Sequence, residues 1–235
     1  MRNKLVSIIV LATAYIFTVS GVAAAQGIYV SGTNGVDVSY PNCKAKITGT
    51  AFGIVGVTSG LFYQYNDCLA PEAANFPNLS LYTNTGWNDK SPRIDQKSPI
   101  PCGAGDSTCL AYNYGYNAAK DALSYAGSQG VSSPTWWLDV ETANTWNSDI
   151  YQNRSSLQGS YDALRDSGVI SVGAYSTTYQ WGVITGGWQN NWPNWGATTV
   201  RTAKQAASYC NGHQFTGGLT YLIQYSGKLD QDYAC

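Results

Sequence analysis

Two carboxylic acids separated by one residue end the most apolar run of the chain, TWWLDVE at positions 135–141. Alternate residues of a β-strand project to one face, so Asp139 and Glu141 would share a face while Val140 takes the other. Repulsion between the two acids and the apolar residues before them both favour a protonated carboxyl. Glycoside hydrolysis uses such a site, because one acid protonates the leaving oxygen while another carboxylate stabilises or attacks the cationic centre.

Acids recur at other predicted strand ends. Asp37 lies near the end of the first β-rich run, and Asp230 and Asp232 follow the last one. The D-x-E pair alone is explained equally well by capping of a neighbouring helix or by binding of a structural cation. The recurrence of acids at one predicted edge favours catalysis.

The strands that would carry these acids alternate with helices. Apolar periodicity predicts helices at 116–128, 156–167 and 203–209. The β-rich runs predict strands at 35–39, 52–57, 79–83, 135–140, 170–175, 194–197 and 220–224. This order indicates βα units and a parallel sheet.

We therefore predict the α/β class and a single (β/α)8-type TIM barrel, regular or irregular, with disulfides. Several strands are apolar at consecutive positions, which is typical of strands covered on both faces. An open doubly wound sheet is the alternative, but no GxGxxG or GxxxxGK[ST] motif follows a strand. In a barrel, the site is built where the strands end, which is where the acids fall.

The first 25 residues are typical of a secretory signal peptide. Arg2 and Lys4 precede an uncharged, mostly apolar run, and the alanines at 23–25 suit a signal peptidase. An uncleaved membrane anchor is the alternative, because the apolar run is long. We expect cleavage, one domain at 26–235 and a secreted protein with no stable membrane association.

Six cysteines in a secreted chain predict disulfides. Fifteen pairings are possible, and we expect Cys43–Cys68, Cys102–Cys109 and Cys210–Cys235. The chain has no CxxC motif and a single histidine, so we expect no zinc or other metal. That histidine, His213, has no GxSxG motif to accompany it, which argues against a serine nucleophile at Ser59 or Ser176.

The composition argues against nucleic acid as a partner, because only 11% of residues are charged and no basic patch stands out. Aromatic residues reach 13%, and tyrosine and tryptophan suit the faces and edges of sugar rings. Four tryptophans cluster in one segment, at 181, 188, 192 and 195. They would be exposed sugar platforms or a buried plug, and the Gly, Asn and Pro around them favour the exposed arrangement.

Four segments resemble, in the same order, motifs of glycoside hydrolase family 25 and the related Chalaropsis-type lysozymes. They are GVDVSYP at 35–41, WLDVE at 137–141, VGAYST at 172–177 and LIQYSGKLDQDY at 222–233. The first resembles the family's DVS strand, the second its D-x-E, the third its G-x-Y strand and the last its closing Q-Y segment with an aspartate. The resemblance spans nearly all of the chain after the signal peptide.

The resemblance implies a (β/α) barrel that cuts the β-1,4 bond after N-acetylmuramic acid in peptidoglycan. Glu141 would be the proton donor, and Asp139 would assist at the acetamido group or the cationic centre. Asp37 and a late aspartate would line the pocket, with Asp232 preferred over Asp230 because it ends the motif. No cofactor and a monomer are expected. The residues expected to contact the polysaccharide are Tyr82, Trp137, Tyr175, Gln224 and Asp230.

Two departures from the family leave alternatives open. Ser59 stands where the family's second strand has the acid of a T-E-G motif, and residues 84–113 have no clear counterpart. A chitinase-like hydrolase is one alternative, although Trp137 stands where the family 18 motif has a further aspartate. The others are a catalytically silent carbohydrate-binding barrel and an extracellular structural protein whose acids cap loops.

Overall fold

A computed structural model describes residues 29–235, so the predicted signal peptide lies outside the described residues. Eight strands close into one barrel in sequence order. They are β1 (Asn34–Val38), β2 (Phe52–Gly56), β3 (Leu79–Asn84), β4 (Thr135–Asp139), β5 (Ser171–Ser176), β6 (Asn194–Ala197), β7 (Thr220–Tyr225) and β8 (Asp230–Ala234). The prediction of a closed α/β barrel is confirmed.

The helices of the described chain are unequal in length. They are α1 (Leu69–Ala73), α2 (Ser107–Ser128), α3 (Ile150–Asp166), α4 (Thr178–Thr185) and α5 (Ala203–Ala207). The three predicted helices are present, but α2 and α3 begin earlier than expected. The side chains of Asp106 and Asp149 accept hydrogen bonds from main-chain N–H groups of the first turn and so fix these earlier starts.

Strand β8 departs from a regular (β/α)8 barrel. Strands β1 to β7 pair in parallel, whereas β8 is antiparallel to both β1 and β7. Only residues 226–229 separate β7 from β8, so a tight hairpin replaces the last βα unit. The sequence DQDYA has no apolar run, which is why no strand was predicted there.

Alternation along each strand divides its side chains between two cores. Trp137 lies with Phe52 and Leu222 in the core of the barrel interior. Trp136, Leu138 and Val140 belong to the core that packs against the helices. The predicted alternation at β4 is therefore confirmed, and Asp139 is directed to the interior end of the barrel.

Helices α2 and α3 pack at a distance that only glycine permits. A Cβ atom at Gly115 would lie 1.9 Å from the main-chain oxygen of Ser156, and one at Gly159 would lie 2.1 Å from that of Tyr112. Ser156 also donates from its hydroxyl to the main-chain oxygen of Gly86 at 2.6 Å. This contact ties α3 to the segment that leaves β3 beside the site.

Three disulfides hold the connections outside the barrel. The predicted pairs Cys43–Cys68, Cys102–Cys109 and Cys210–Cys235 are all confirmed. Across residues 29–235, no helix combines the length and apolarity needed to cross a membrane.

Candidate active site

A pocket of about 140 Å³ lies at the carboxyl ends of the parallel strands. The residues lining it are Asp37, Tyr82, Asp139, Glu141, Tyr175, Trp195, Gln224 and Asp230. All of the predicted site residues are present in this set except Asp232 and Trp137. Distant parts of the sequence meet here because neighbouring strands end at one edge of the barrel.

Strand register brings the side chains into one row. Asp139 is paired with Asn84 of β3 on one side and with Tyr175 of β5 on the other. On the opposite part of the barrel, Asp37 of β1 is paired with Asp230 of β8. Asp37, Asp139 and Asp230 therefore rest on strands rather than on loops, which fixes their positions.

Asp139 is the most deeply buried acid of the pocket lining, with 5% of its surface exposed. The side-chain amide of Asn84 donates to its Oδ2 at 2.6 Å, and within residues 29–235 its Oδ1 has no hydrogen-bond partner. Burial, followed by the negative charge of Glu141, raises the pKa of Asp139 well above its usual range, and a hydrogen bond from Asn144 opposes this in part. Asp139 therefore holds a proton more readily than an ordinary aspartate.

Glu141 lies just beyond β4 and is half-buried at the pocket. Gln180 reaches it from the start of α4, where Thr177 caps the helix by accepting from the Gln180 N–H at 3.0 Å. The Gln180 Oε1 accepts from the N–H and the hydroxyl of Thr142 at 2.6 and 2.9 Å, which leaves its amide N–H for Glu141. Burial raises the pKa of Glu141, the bond from Gln180 opposes this, and the charge of Asp230 adds to it.

Asp37 is held by a short chain of hydrogen bonds across the barrel. The Tyr175 hydroxyl donates to Gln224 Oε1 at 2.9 Å, and Gln224 Nε2 donates to Asp37 Oδ2 at 2.9 Å. Burial raises the pKa of Asp37 to about 7, with the Gln224 bond opposing it and the charge of Asp230 adding to it. Asp37 therefore changes its charge near neutral pH.

Asp232 does not line the pocket, so the preference for it over Asp230 was wrong. Because β8 runs back into the barrel, Asp230 lies at the exposed rim while Asp232 lies one layer deeper and fully buried. The indole N–H of Trp195 donates to Asp232 Oδ1 at 2.7 Å. The Asp232 carboxyl group also contacts Asp37. This contact is attractive only when one of the two acids holds a proton.

Trp137 was predicted to contact the substrate, and its position contradicts this. Its side chain is 1% exposed and fills the barrel over Gly173, where a Cβ atom would lie 2.3 Å from the indole. Its Nε1 donates to the Tyr29 hydroxyl at 2.8 Å, and that hydroxyl donates to Ser80 Oγ at 2.6 Å. Trp137 belongs to the packed floor beneath the pocket.

The expectation of an exposed tryptophan cluster was also wrong. Trp181 and Trp192 are buried, and Trp188 is half-buried against both of them. The segment that joins α4 to β6 reaches the amino ends of the strands, opposite the pocket. Of the four tryptophans, Trp195 alone lines the pocket, because it lies within β6.

Sequence reasoning missed two amides that hold the acids, Asn84 and Gln180. Asn84 ends β3, so the rule that located the acids at strand ends could have found it. Gln180 carried no comparable signal, because it reaches Glu141 from a helix start. Ser176, weighed as a nucleophile, is buried and donates to the Val140 main-chain oxygen at 2.7 Å.

This arrangement can supply both a protonated acid, which donates a proton, and an ionised carboxylate, which stabilises positive charge. Raised pKa values keep a proton on part of the carboxyl set near neutral pH, while the amide donors favour ionisation of the rest. Among residues 29–235, no group of three or more His, Cys, Asp or Glu side chains is arranged to hold a metal ion.

The sequence is similar to known sequences over part of its length. The family model described as Lysozyme-like protein 1 matches residues 107–217. A protein of Dictyostelium discoideum described as probable GH family 25 lysozyme 5 is 27% identical over 99 residues, which is 40% of this chain and 44% of that protein. The aligned region therefore spans less than half of the relative's length.

Solved structures show the same fold at low sequence identity. A bacterial lysozyme from Streptomyces coelicolor is 17% identical, with a TM-score of 0.53 over 88% of this chain and 93% of its own. GHIP, a glycosyl hydrolase 25 of Streptococcus pneumoniae, is 16% identical, with a TM-score of 0.53 over 86% of this chain and 87% of its own. The chain thus resembles family 25 lysozymes in part of its sequence and in its barrel.

Proposed function

We propose that this chain, a family 25-like barrel by sequence similarity and fold, is a glycoside hydrolase of the muramidase type. Its substrate is peptidoglycan and its target the β-1,4 bond after N-acetylmuramic acid. The observation that carries the proposal is the pocket in which Asp37, Asp139, Glu141 and Asp230 meet at the carboxyl ends of the strands. Lysozymes among its relatives support peptidoglycan as the substrate class.

Glu141 is the proton donor in this proposal. It is half-buried, so it can reach a bound sugar, and its pKa is raised mainly by burial, so it keeps a proton for the leaving oxygen. Those of the neighbouring acids that are ionised carry a negative charge. This charge stabilises the cationic centre that develops in the sugar ring.

Asp139 assists from the deeper side of the pocket. Its Oδ2 is held by Asn84, and the charge of its ionised carboxyl group assists at the acetamido group or the cationic centre of the substrate. Asp37 and Asp230 line the facing wall, and Tyr82, Tyr175 and Gln224 contact the sugar. No cofactor takes part. The mature domain acts as a secreted monomer after its signal peptide is cleaved, and its three disulfides suit an oxidising compartment.

The identity of the new reducing end tests the proposed bond. Purified peptidoglycan is incubated with the protein, and the released muropeptides are reduced with borohydride and analysed by mass spectrometry. Products that end in reduced N-acetylmuramic acid are expected. Products that end in reduced N-acetylglucosamine would contradict the assignment of the bond.

A parallel incubation with chitin separates the proposal from the chitinase-like alternative. Release of chitin oligosaccharides without any muropeptide would replace peptidoglycan by chitin as the substrate. Binding to peptidoglycan without any product, by a protein whose circular dichroism shows a folded state, would support the catalytically silent barrel.

A further inference from the structure

The orientation of the Asn84 side chain is fixed by the loop that follows β2. Its Oδ1 accepts from the Thr58 hydroxyl at 2.8 Å and from the Gly60 N–H at 3.0 Å. The Thr58 hydroxyl in turn accepts from the Asn84 main-chain N–H at 2.8 Å. An inverted amide would set its NH₂ group against the Gly60 N–H, so one orientation alone satisfies these donors.

That orientation directs the amide N–H of Asn84 to Asp139. The donor lies 2.6 Å from Oδ2, and both residues are buried, with 6% of Asn84 and 5% of Asp139 exposed. A hydrogen bond to a carboxylate is stronger than one between neutral groups, and more so away from water. Asp139 Oδ1 is buried and has no hydrogen-bond partner within the described chain, so the bond from Asn84 to Oδ2 fixes the orientation of this carboxyl group.

We propose that Asn84 is a positioning residue, oriented by Thr58 and Gly60, which holds Asp139 in place through Oδ2 and stabilises the ionised form of its carboxyl group. This inference rests on the proposed function. The contacts that orient Asn84 come from Thr58 and Gly60, on either side of Ser59. The Ser59 main chain donates instead to the Gln64 oxygen at 3.2 Å.

A merely structural role is the competing explanation, since Asn84 also joins two strand ends. The two explanations differ in what happens to Asp139. Other groups that face its carboxyl are Glu141 just beyond β4, Asp37 of β1, Tyr82 of β3 and Tyr175 of β5, with the Asn144 amide nearby. The acids and tyrosines among them offer no amide donor, and the Asn144 Nδ2 already donates to the Asp139 main-chain oxygen at 3.0 Å, so Asp139 would ionise less readily if Asn84 turned away.

Thr58→Val tests the proposal without touching Asn84 or Asp139. It keeps the shape of Thr58 but removes the hydroxyl that orients the Asn84 amide. Thr220→Val is the matched control, because the buried Thr220 hydroxyl has no hydrogen-bond partner among residues 29–235 and lies at the opposite end of the barrel. Asn84→Ala removes the donor itself.

We expect Thr58→Val and Asn84→Ala to lower kcat about ten- to a hundredfold with KM changed much less, because the bond acts on a charged group. The acid limb of the pH–rate profile is expected to move to higher pH in both variants. Thr220→Val should behave as the native protein. Equal kinetics and equal pH profiles for Thr58→Val and Thr220→Val would overturn the proposal.

A titration independent of activity separates this inference from the proposed function. Carbon-13 NMR of labelled aspartate follows the Asp139 carboxyl, assigned by its loss in Asp139→Asn. A higher Asp139 pKa in Thr58→Val than in Thr220→Val supports the positioning role even if the native protein cuts no peptidoglycan. An unchanged pKa contradicts it, whatever the activity.

Discussion

Asp37 and Asp230 face each other in register across the antiparallel pair of β1 and β8. Like charges directly opposite each other on a sheet repel. The charge of Asp230 accordingly adds to the rise that burial produces in the pKa of Asp37, and it also raises the pKa of Glu141. The exposed acid at the rim therefore helps the acids inside the pocket to keep their protons.

Removing the rim charge should alter the pH range of activity. In Asp230→Asn, the pKa of Glu141 is expected to fall. Glu141 would then lose its proton, and its ability to act as a proton donor, at a lower pH than in the native protein. The alkaline limb of kcat/KM against pH should then move to lower pH. Asp166→Asn is the control, because it removes an equal charge from the exposed end of α3. Identical profiles for the two variants would argue against Glu141 as the donor.

The buried acids predict that stability falls as the pH rises. The folded state raises the pKa of Asp37 from 3.8 to about 7, and burial also raises those of Asp139 and Asp232. Between about pH 4 and about pH 7, the folded chain therefore binds more protons than the unfolded chain. The free energy of unfolding consequently falls as the pH rises through this range. Each pKa unit corresponds to about 1.4 kcal/mol, reduced where solvent reaches Asp37.

Thermal unfolding at about pH 5 and about pH 8 measures this effect, with the higher Tm expected at the lower pH. Asp139→Asn should narrow the difference, because it removes one buried acid. A Tm that rises between these two pH values would contradict the pKa directions given for the pocket.

The disulfides should differ in their contributions to stability. Cys43–Cys68 closes a separation of 25 residues, whereas Cys102–Cys109 closes one of 7. Chain entropy then predicts a loss of about 3.5 kcal/mol on replacing the first pair by serine and about 2.3 kcal/mol on replacing the second. Urea unfolding of the two double variants measures how much free energy of unfolding each disulfide contributes. A larger loss on removing Cys102–Cys109 than on removing Cys43–Cys68 would contradict this prediction.

Much of the site could be predicted because it follows from strand periodicity. Alternation put Asp139 and Glu141 on one side of Val140, and the rule that barrel sites lie at strand ends brought in Asp37. The same rule failed at Asp232, because it assumed that the late acids follow a parallel strand. In an antiparallel β8 the later acid returns into the barrel and becomes buried.

The remaining differences arise from contacts that a linear pattern does not contain. The tryptophans between α4 and β6 are surrounded by loop-forming residues, yet the segment folds inward at the amino ends of the strands. Gln180 reaches Glu141 only because Thr177 starts α4 at the right position. Trp137 was expected at the substrate, but the space over Gly173 accommodates its ring in the barrel interior.

The most direct test of the central claim is the rate at which new reducing ends are released from purified peptidoglycan by the native protein and by Glu141→Gln. The substitution keeps the shape of the side chain but replaces the carboxyl group by an amide, which cannot act as a general acid. We expect steady release by the native protein and a loss of about a hundredfold or more in the variant, with an unchanged thermal unfolding temperature. Full activity in Glu141→Gln would contradict the account.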